Sequence, residues 1–309
     1  MDDNGFIGKQ YERKGIVMNI LIIGYGSIGK RHEEVLTSIN KNFNIHIVTK
    51  QDIKDKVTYK NLQDIKDVSV YDYFIIASET YKHFEQLKFL NSRVRNKIIF
   101  CEKPLFERYK AFESINNSIV VGYVLRFHPL LLKLRELLKN DIIIMASIKC
   151  GQYLPDWRKD VDYRDSYSAK KEEGGGVLLD LSHEIDYCQW LFGKAVEIKS
   201  YQVKISDLEI NSDDLAIFIG KTEQGVIINL SVDYISKITH RRMIVETLNN
   251  SYDLDFITNT LKRSDKLGNI QIINAKSFDR NDMFIKMHSS ILSNEQMACS
   301  FKELMNAFL

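Results

Sequence analysis

Three residues stand out by the chemistry they can do: Lys103 in "CEKP", and Asp180 and His183 in "GGGVLLDLSHEIDYCQWLFG", residues 174–193. An imidazole titrates near neutrality, so His183 can take or give a proton at working pH, and a nearby carboxylate can orient its ring. A single helix over 176–192 would place Asp180, His183 and Asp186 on one face. A lysine at the end of a buried strand can steer a substrate hydroxyl and stabilise the charge left as its proton departs. Each also has a plainer reading, a surface ion pair for Lys103 and a hydrogen-bonded structural histidine for His183.

A second constellation is Gly24-x-Gly26-x-x-Gly29, inside "NILIIGYGSIGKRHEEVL" (19–36). It follows an apolar run and opens a helical pattern, the context in which these glycines hold a dinucleotide. Gly24 permits the tight turn, Gly26 lets backbone approach a pyrophosphate, and Gly29 lets the helix pack close to the strand. Tyr25, Ser27 and Ile28 complete the loop. The next apolar run should end in an acid if the ribose carries a free 2′-hydroxyl. It ends in Thr49 and Lys50, with Asp52 too late, and a hydroxyl with a cation suits a 2′-phosphate. NADP is therefore expected over NAD, with NAD left open.

The elements that must position these groups fall into two grammars. Up to Gly122, short apolar runs ("NILIIG", "NIHIVT", "YDYFIIAS", "KIIFCEK", "SIVVGY") alternate with helical stretches such as 28–39 and 81–90. That predicts a parallel sheet covered on both faces. After a helix at 129–138, longer runs follow: "DIIIMASIKCGQY", "VEIKSYQVKI", "DLAIFIGKT", "GVIINLSVDYI", "RRMIVETL" and "YDLDFIT". Turn signals at 222–225, 249–250 and 266–269 separate strand-like segments, so a mostly antiparallel sheet is expected, with two short helices closing the chain. The fold class is α/β: a doubly wound Rossmann domain over 18–122, then an α+β domain with an open, mostly antiparallel sheet over 123–309.

Bulk properties exclude little but point one way. The chain has 309 residues, 44% of them hydrophobic and 27% charged, with a net charge of +2. No electrostatic case for nucleic acid or a membrane surface arises. The four scattered cysteines lack metal-ligand spacing and suit a reducing cytoplasm. Residues 1–17 lack the apolar core of a secretion signal, so a disordered leader ahead of Met18 is expected.

Taken together and in order, "GYGSIGKRH", "IIASETYKHFE", "EKP", "VGYVLRFHP" and the "GGG…D…H…D" segment resemble the Gfo/Idh/MocA family of NAD(P)-dependent oxidoreductases. The resemblance implies catalytic roles for Lys103, His183 and Asp180. It also implies that Ser78, Thr80, His83 and Glu102 lie near the cofactor and Arg126 near the substrate. Members commonly pair through the free face of the second sheet, so a homodimer or homotetramer is implied. Most members have four steps between the helix Asp and His. Here the step is three, and counting back from His183 would put the family position at Leu179.

The segment 152–176 leads into that helix. Tyr153, Trp157, Tyr163 and Tyr167 can stack on a sugar or base, and Arg158 and Arg164 can grip a phosphate or carboxylate. Aromatics that merely pack on the sheet are the alternative. The pattern "YLPDWR…DYR…SYSA" looks like a bacterial subgroup tied to surface sugars, including sialic-acid-like ones. The expected activity is hydride transfer between nicotinamide and a carbinol carbon of a sugar derivative. A non-sugar substrate such as a dihydrodiol, or a cofactor-binding sensor that has lost catalysis, remain the competing readings.

Overall fold

A computed structural model describes residues 17–113, 116–158, 160–275 and 278–307. Apart from Val17, the expected leader lies outside the described residues. β1 (Asn19–Ile23) is apolar without alternation and four of its residues are buried, as a strand covered on both faces must be. β4 (Tyr73–Ile76), β5 (Ile98–Cys101) and β6 (Ser118–Val121) follow the same rule. With β2 (Asn44–Val48) and β3 (Thr58–Tyr59) they form a parallel sheet in the order β6-β5-β4-β1-β2-β3. β3, only two residues long, left no readable run in the sequence. Helices α1 (Ser27–Ile39) and α2 (Thr80–Arg93) follow β1 and β4. Strand order reverses between those two strands, so their carboxyl ends flank the crevice where ligands bind in such sheets.

The second sheet is built by β7 (Ile143–Gly151), β8 (Ala195–Val203), β9 (Leu215–Thr222), β10 (Ile227–Asp233), β11 (His240–Thr247), β12 (Asn250–Asp255), β13 (Thr260–Asp265) and β14 (Ile270–Asn274). Its order is β14-β13-β12-β11-β7-β10-β9-β8, antiparallel everywhere except at β7–β10. Alternation holds where it should: Ala146 and Ile148 meet Ile228 and Leu230 on one side and Val245 and Met243 on the other, all buried. The opposite face leaves Tyr201, Ile219, Ile227, Ile270 and Ile272 exposed. β13 was hard to read because "TLKRSD" buries only Leu261.

α3 (Pro129–Leu138) starts with proline at its first position, where a missing N–H costs nothing. His128 caps it: Leu130 N–H donates to His128 Nδ1 at 3.3 Å, leaving Nε2–H for Asn259 Oδ1 at 3.2 Å. Burial lowers the His128 pKa from 6.5 to about 4. The unfolded chain then binds a proton that the fold refuses, so this stability is complete above pH 6.5 and declines as pH falls toward 4. The effect is worth about 3 kcal/mol. Denaturant midpoints at pH 7.5 and 4.5 should differ less in His128→Asn, which keeps a capping acceptor; an unchanged difference would refute this.

The expected helix over 176–192 is two helices, α4 (Val177–Asp180) and α5 (His183–Phe192), interrupted at Leu181–Ser182. The last part of the chain also departs from expectation. The molecule divides into two compact units, one running to Val124 and resuming at Asp279, the other covering Leu125–Phe278. The first boundary falls two residues after the expected one, and the terminal helices belong with the parallel sheet. α6 (Arg280–Leu292) buries Met283, Phe284, Met287 and Ile291 and packs on α1, while β15 (Cys299–Ser300) adds an antiparallel edge to β6 ahead of α7 (Phe301–Ala307). An amphipathic helix declares a buried face but not which sheet will cover it.

Candidate functional site

In the first unit, Gly24, Gly26 and Gly29 sit between β1 and α1. Gly24 has φ +94°, and a Cβ there would lie 2.7 Å from the backbone of Ala77 and Ser78. A Cβ on Gly29 would lie 2.2 Å from Gly24 O, so only glycine lets helix and strand come this close. At Gly26 a Cβ would meet nothing within 4 Å. Open space therefore lies over the first turn of α1, whose leading N–H groups have no intrahelical acceptor and no side-chain cap. A cradle of backbone N–H groups at a helix N-terminus fits the pyrophosphate of a dinucleotide.

The other residues expected around the cofactor lie on the same carboxyl edge. Ser27 is exposed and Ile28 half-buried on the first turn, while Tyr25 is buried with its hydroxyl bonded to Glu33, itself paired with Lys56. Thr49 is buried at the end of β2, where its Oγ1 accepts from Gln51 N–H at 3.2 Å. Lys50 is exposed and donates to Asn61 Oδ1 at 2.8 Å. Ser78 follows β4, its Oγ donating to Gln86 at 2.7 Å, and Thr80 opens α2.

His83, expected near the cofactor, is buried beside Ser78. It is 1% exposed, and its ring nitrogens lie 3.1 Å from Ser78 O and 3.1 Å from Pro104 O. It ties the loop after β4 to the loop after β5 instead of presenting a ring to a ligand. Glu102 and Lys103 follow β5 on the edge that carries Gly24, both half-buried, with Lys103 N–H donating to Glu102 Oε2 at 3.1 Å.

The second unit brings another set together. Trp157, Arg158 and Tyr163 line a cleft with Leu154, Val161, Ser166 and Ser168. Trp157 also meets Tyr234 edge-on, ring centroids 5.1 Å apart, and Arg158 lies over the Tyr167 ring at 5.5 Å. Asp180 ends α4 and is 5% exposed. Its Oδ2 accepts the Tyr234 hydroxyl at 2.5 Å, and the Tyr167 phenol lies close enough to feel the same carboxyl. Burial, then the carboxylate, push both phenols well up, so both remain donors. His183 is half-buried at the start of α5, one short break beyond. With that break between them, the helical-face rule does not relate Asp180 to His183.

Three substrate-side expectations change. Arg126 is 2% exposed and held bidentate by Asp186, Nε to Oδ2 at 2.8 Å and Nη2 to Oδ1 at 2.6 Å, with Trp190 beneath the guanidinium. Its charge is engaged inside the unit. Arg164 is exposed and paired with Asp162 at 2.6 Å and Glu209 at 3.3 Å. Those neighbouring carboxylates occupy the fork that an anionic ligand would need. Tyr153, next in the chain to the cleft residue Leu154, is itself not among the lining residues, and Lys237 Nζ covers its ring at 3.5 Å.

Residues missed by sequence reading hold the Asp180 region in place. Tyr234 comes from the loop after β10. Asp213 caps α4, its Oδ2 accepting Leu178 N–H at 3.0 Å, and a Cβ on Gly176 (φ +120°) would lie 2.3 Å from its carboxylate. No local signal marks either residue, because each acts on a segment more than thirty positions away.

The oxidoreductase family with NAD-binding Rossmann fold matches residues 18–119, and the GFO/IDH/MocA C-terminal domain matches residues 133–247. The 2,7-anhydro-N-acetylneuraminate hydratase of Escherichia coli is 26% identical over 148 residues, 46% of this chain and 39% of that protein. The matched segment thus spans well under half the length of the curated relatives. Levoglucosan dehydrogenase in complex with NADH shares the fold, with a TM-score of 0.77 and 15% identity over 91% of this chain and 90% of that one. So does UDP-N-acetylglucosamine 3-dehydrogenase from Acidithiobacillus ferrooxidans, with a TM-score of 0.73 and 16% identity over 95% and 96%. With both domains matched in order, the chain belongs to the Gfo/Idh/MocA family of oxidoreductases.

Proposed function

We propose that this protein is an NAD(P)-dependent oxidoreductase that moves hydride between nicotinamide and a carbinol carbon of a sugar derivative. The observation that carries this reading is the shared edge of one parallel sheet, where the Gly24–Gly29 cradle and Lys103 both lie at strand ends. The nicotinamide, when bound, supplies the hydride acceptor. The chain's own residues do the rest: Lys103 steers the substrate hydroxyl, His183 takes its proton, and Asp180 supports that exchange. Trp157, Arg158 and Tyr163 offer stacking faces and a cation for a charged sugar. Exposed Lys50 would exchange Asn61 for a 2′-phosphate, which favours NADP. Exposed Tyr201, Ile219 and Ile227 on the neighbouring strands β8, β9 and β10 support a homodimer or homotetramer through the second sheet.

The test is a panel of levoglucosan, UDP-N-acetylglucosamine and 2,7-anhydro-N-acetylneuraminate offered with NAD+ or NADP+. These three compounds come from the names of the relatives. Absorbance at 340 nm reads net hydride transfer. Product mass reads conversion without net hydride transfer, such as the gain of water that the name of the Escherichia coli relative describes. Native mass spectrometry of the same preparation reads carried cofactor and oligomeric state. A protein that binds neither cofactor, or that binds one and converts no sugar, would remove the proposal.

A further inference from the structure

We propose that His288 of α6 is a positioning residue for the Glu102–Lys103 turn, acting through His32 in a buried, one-way chain of hydrogen bonds that begins at Tyr73. Four side chains from four separate elements meet in line. Tyr73 OH lies 2.8 Å from His288 Nδ1, His288 Nε2 lies 2.9 Å from His32 Nδ1, and His32 Nε2 lies 2.9 Å from Glu102 Oε1. Tyr73, His32 and His288 are each 0% exposed.

The direction follows from counting protons. A carboxylate only accepts, so His32 Nε2–H donates to Glu102. If the neighbouring ring donates to His32 Nδ1, then His288 carries its proton on Nε2 and its Nδ1 accepts from the Tyr73 hydroxyl. Every proton then has an acceptor. Run the other way, the Tyr73 hydroxyl would accept from His288, and its own proton would lack an acceptor among the described residues, a costly state in a dry interior. Burial, with His32 beside it, pushes the His288 pKa well down, and burial pushes the Tyr73 phenol up, which suits a neutral ring and a donating hydroxyl. The wall around the rings is aromatic: Phe100 and Phe284 lie 5.0 and 5.6 Å from His32. Beyond it, Arg31 lies over the Phe284 ring at 5.5 Å.

The other end of the chain faces the candidate site. Glu102 takes His32 on one oxygen and the Lys103 N–H on the other. Its carboxyl also packs on Gly122, where an added Cβ would come within 3.1 Å. The turn that presents Lys103 is therefore braced from inside by a residue almost two hundred positions later in the chain. This role rests on reading Lys103 as nicotinamide-facing; the hydrogen-bond chain itself does not.

Two measurements separate those layers. In protein labelled with ¹⁵N-histidine, both rings should be Nε2–H tautomers, with scalar coupling between His288 Nε2 and His32 Nδ1. An Nδ1–H tautomer at either ring, or no coupling, overturns the chain. Tyr73→Phe should leave both rings Nε2–H, because the Glu102 carboxylate fixes the direction from the other end; a switch to Nδ1–H at either ring would also overturn the chain. Fluorescence titration with NADH then tests positioning. His288→Leu should weaken binding about tenfold, whereas His288→Gln, which keeps one acceptor and one donor, should stay within about twofold of wild type. Equal affinities for wild type and the Leu variant, or equal losses in both variants, would reduce His288 to a packing residue. A wild type that binds no NADH removes the cofactor reading and the positioning role with it, while the tautomers still report on the chain.

Discussion

His183→Asn is expected to lower kcat about 10²–10⁴-fold with NADH affinity intact, on whichever sugar the panel identifies. Oxidising an alcohol needs a base for the hydroxyl proton while hydride leaves the same carbon. An imidazole with an ordinary pKa near ~6.5 is suited to that exchange at neutrality, and asparagine keeps a polar shape without the titrating nitrogen. Asp180→Asn should cost less than the histidine change and move the pH profile, because an amide no longer matches the Tyr234 hydroxyl aimed at that carboxylate. Leu179→Ala should leave the profile alone. Kinetics from pH 5.5 to 9 on the three variants decide it. A near-normal kcat for His183→Asn would sink the assignment, and a shifted optimum in Leu179→Ala alone would move the carboxylate's place.

Asp186→Leu should destabilise the protein by about 3–5 kcal/mol, because it leaves the Arg126 guanidinium buried without its counter-charge. The pair is 2% and 3% exposed and bonded through two nitrogens, so water can replace neither partner. The double variant Arg126→Met/Asp186→Leu should recover most of the loss, since matched apolar groups carry no unpaired charge. Denaturant or thermal midpoints of wild type, Arg126→Met, Asp186→Leu and the double variant read the cycle. A single variant as stable as wild type would mean that the pair contributes nothing. Sugar KM in the double variant should also be unchanged, in line with a charge engaged inside its own unit; a large rise in KM would restore Arg126 to the substrate.

The local signals were the readable ones. Gly24, Gly26 and Gly29 announced their turn because a strand, three glycines and a helix are contiguous, and the backbone contacts at Ala77 and Gly24 O are what glycine spacing encodes. The non-alternating runs of β1, β4 and β5 announced burial on both faces, and the longer runs of the second half, parted by turn signals, announced a mostly antiparallel sheet. Proline at the start of α3 marked that helix to the residue.

Tertiary structure alone decided what lies beyond such runs. Arg126 and Arg164 look alike in sequence as free cations for a substrate, yet each is answered by a carboxylate: Asp186 sixty positions on, or Asp162 and Glu209 beside the loop. His83 and His183 both looked functional, and only the fold buries one ring between backbone carbonyls while leaving the other half-exposed. Tyr234, Asp213 and His288 carried no signal, because a hydrogen bond across many tens of residues has no periodicity to betray it. The sequence by itself determined the two sheet types, the nucleotide turn and the family. Which charges are free, which helix braces which sheet, and what holds Asp180 depend on long-range packing, where a buried polar group must find its partner wherever the chain brings one.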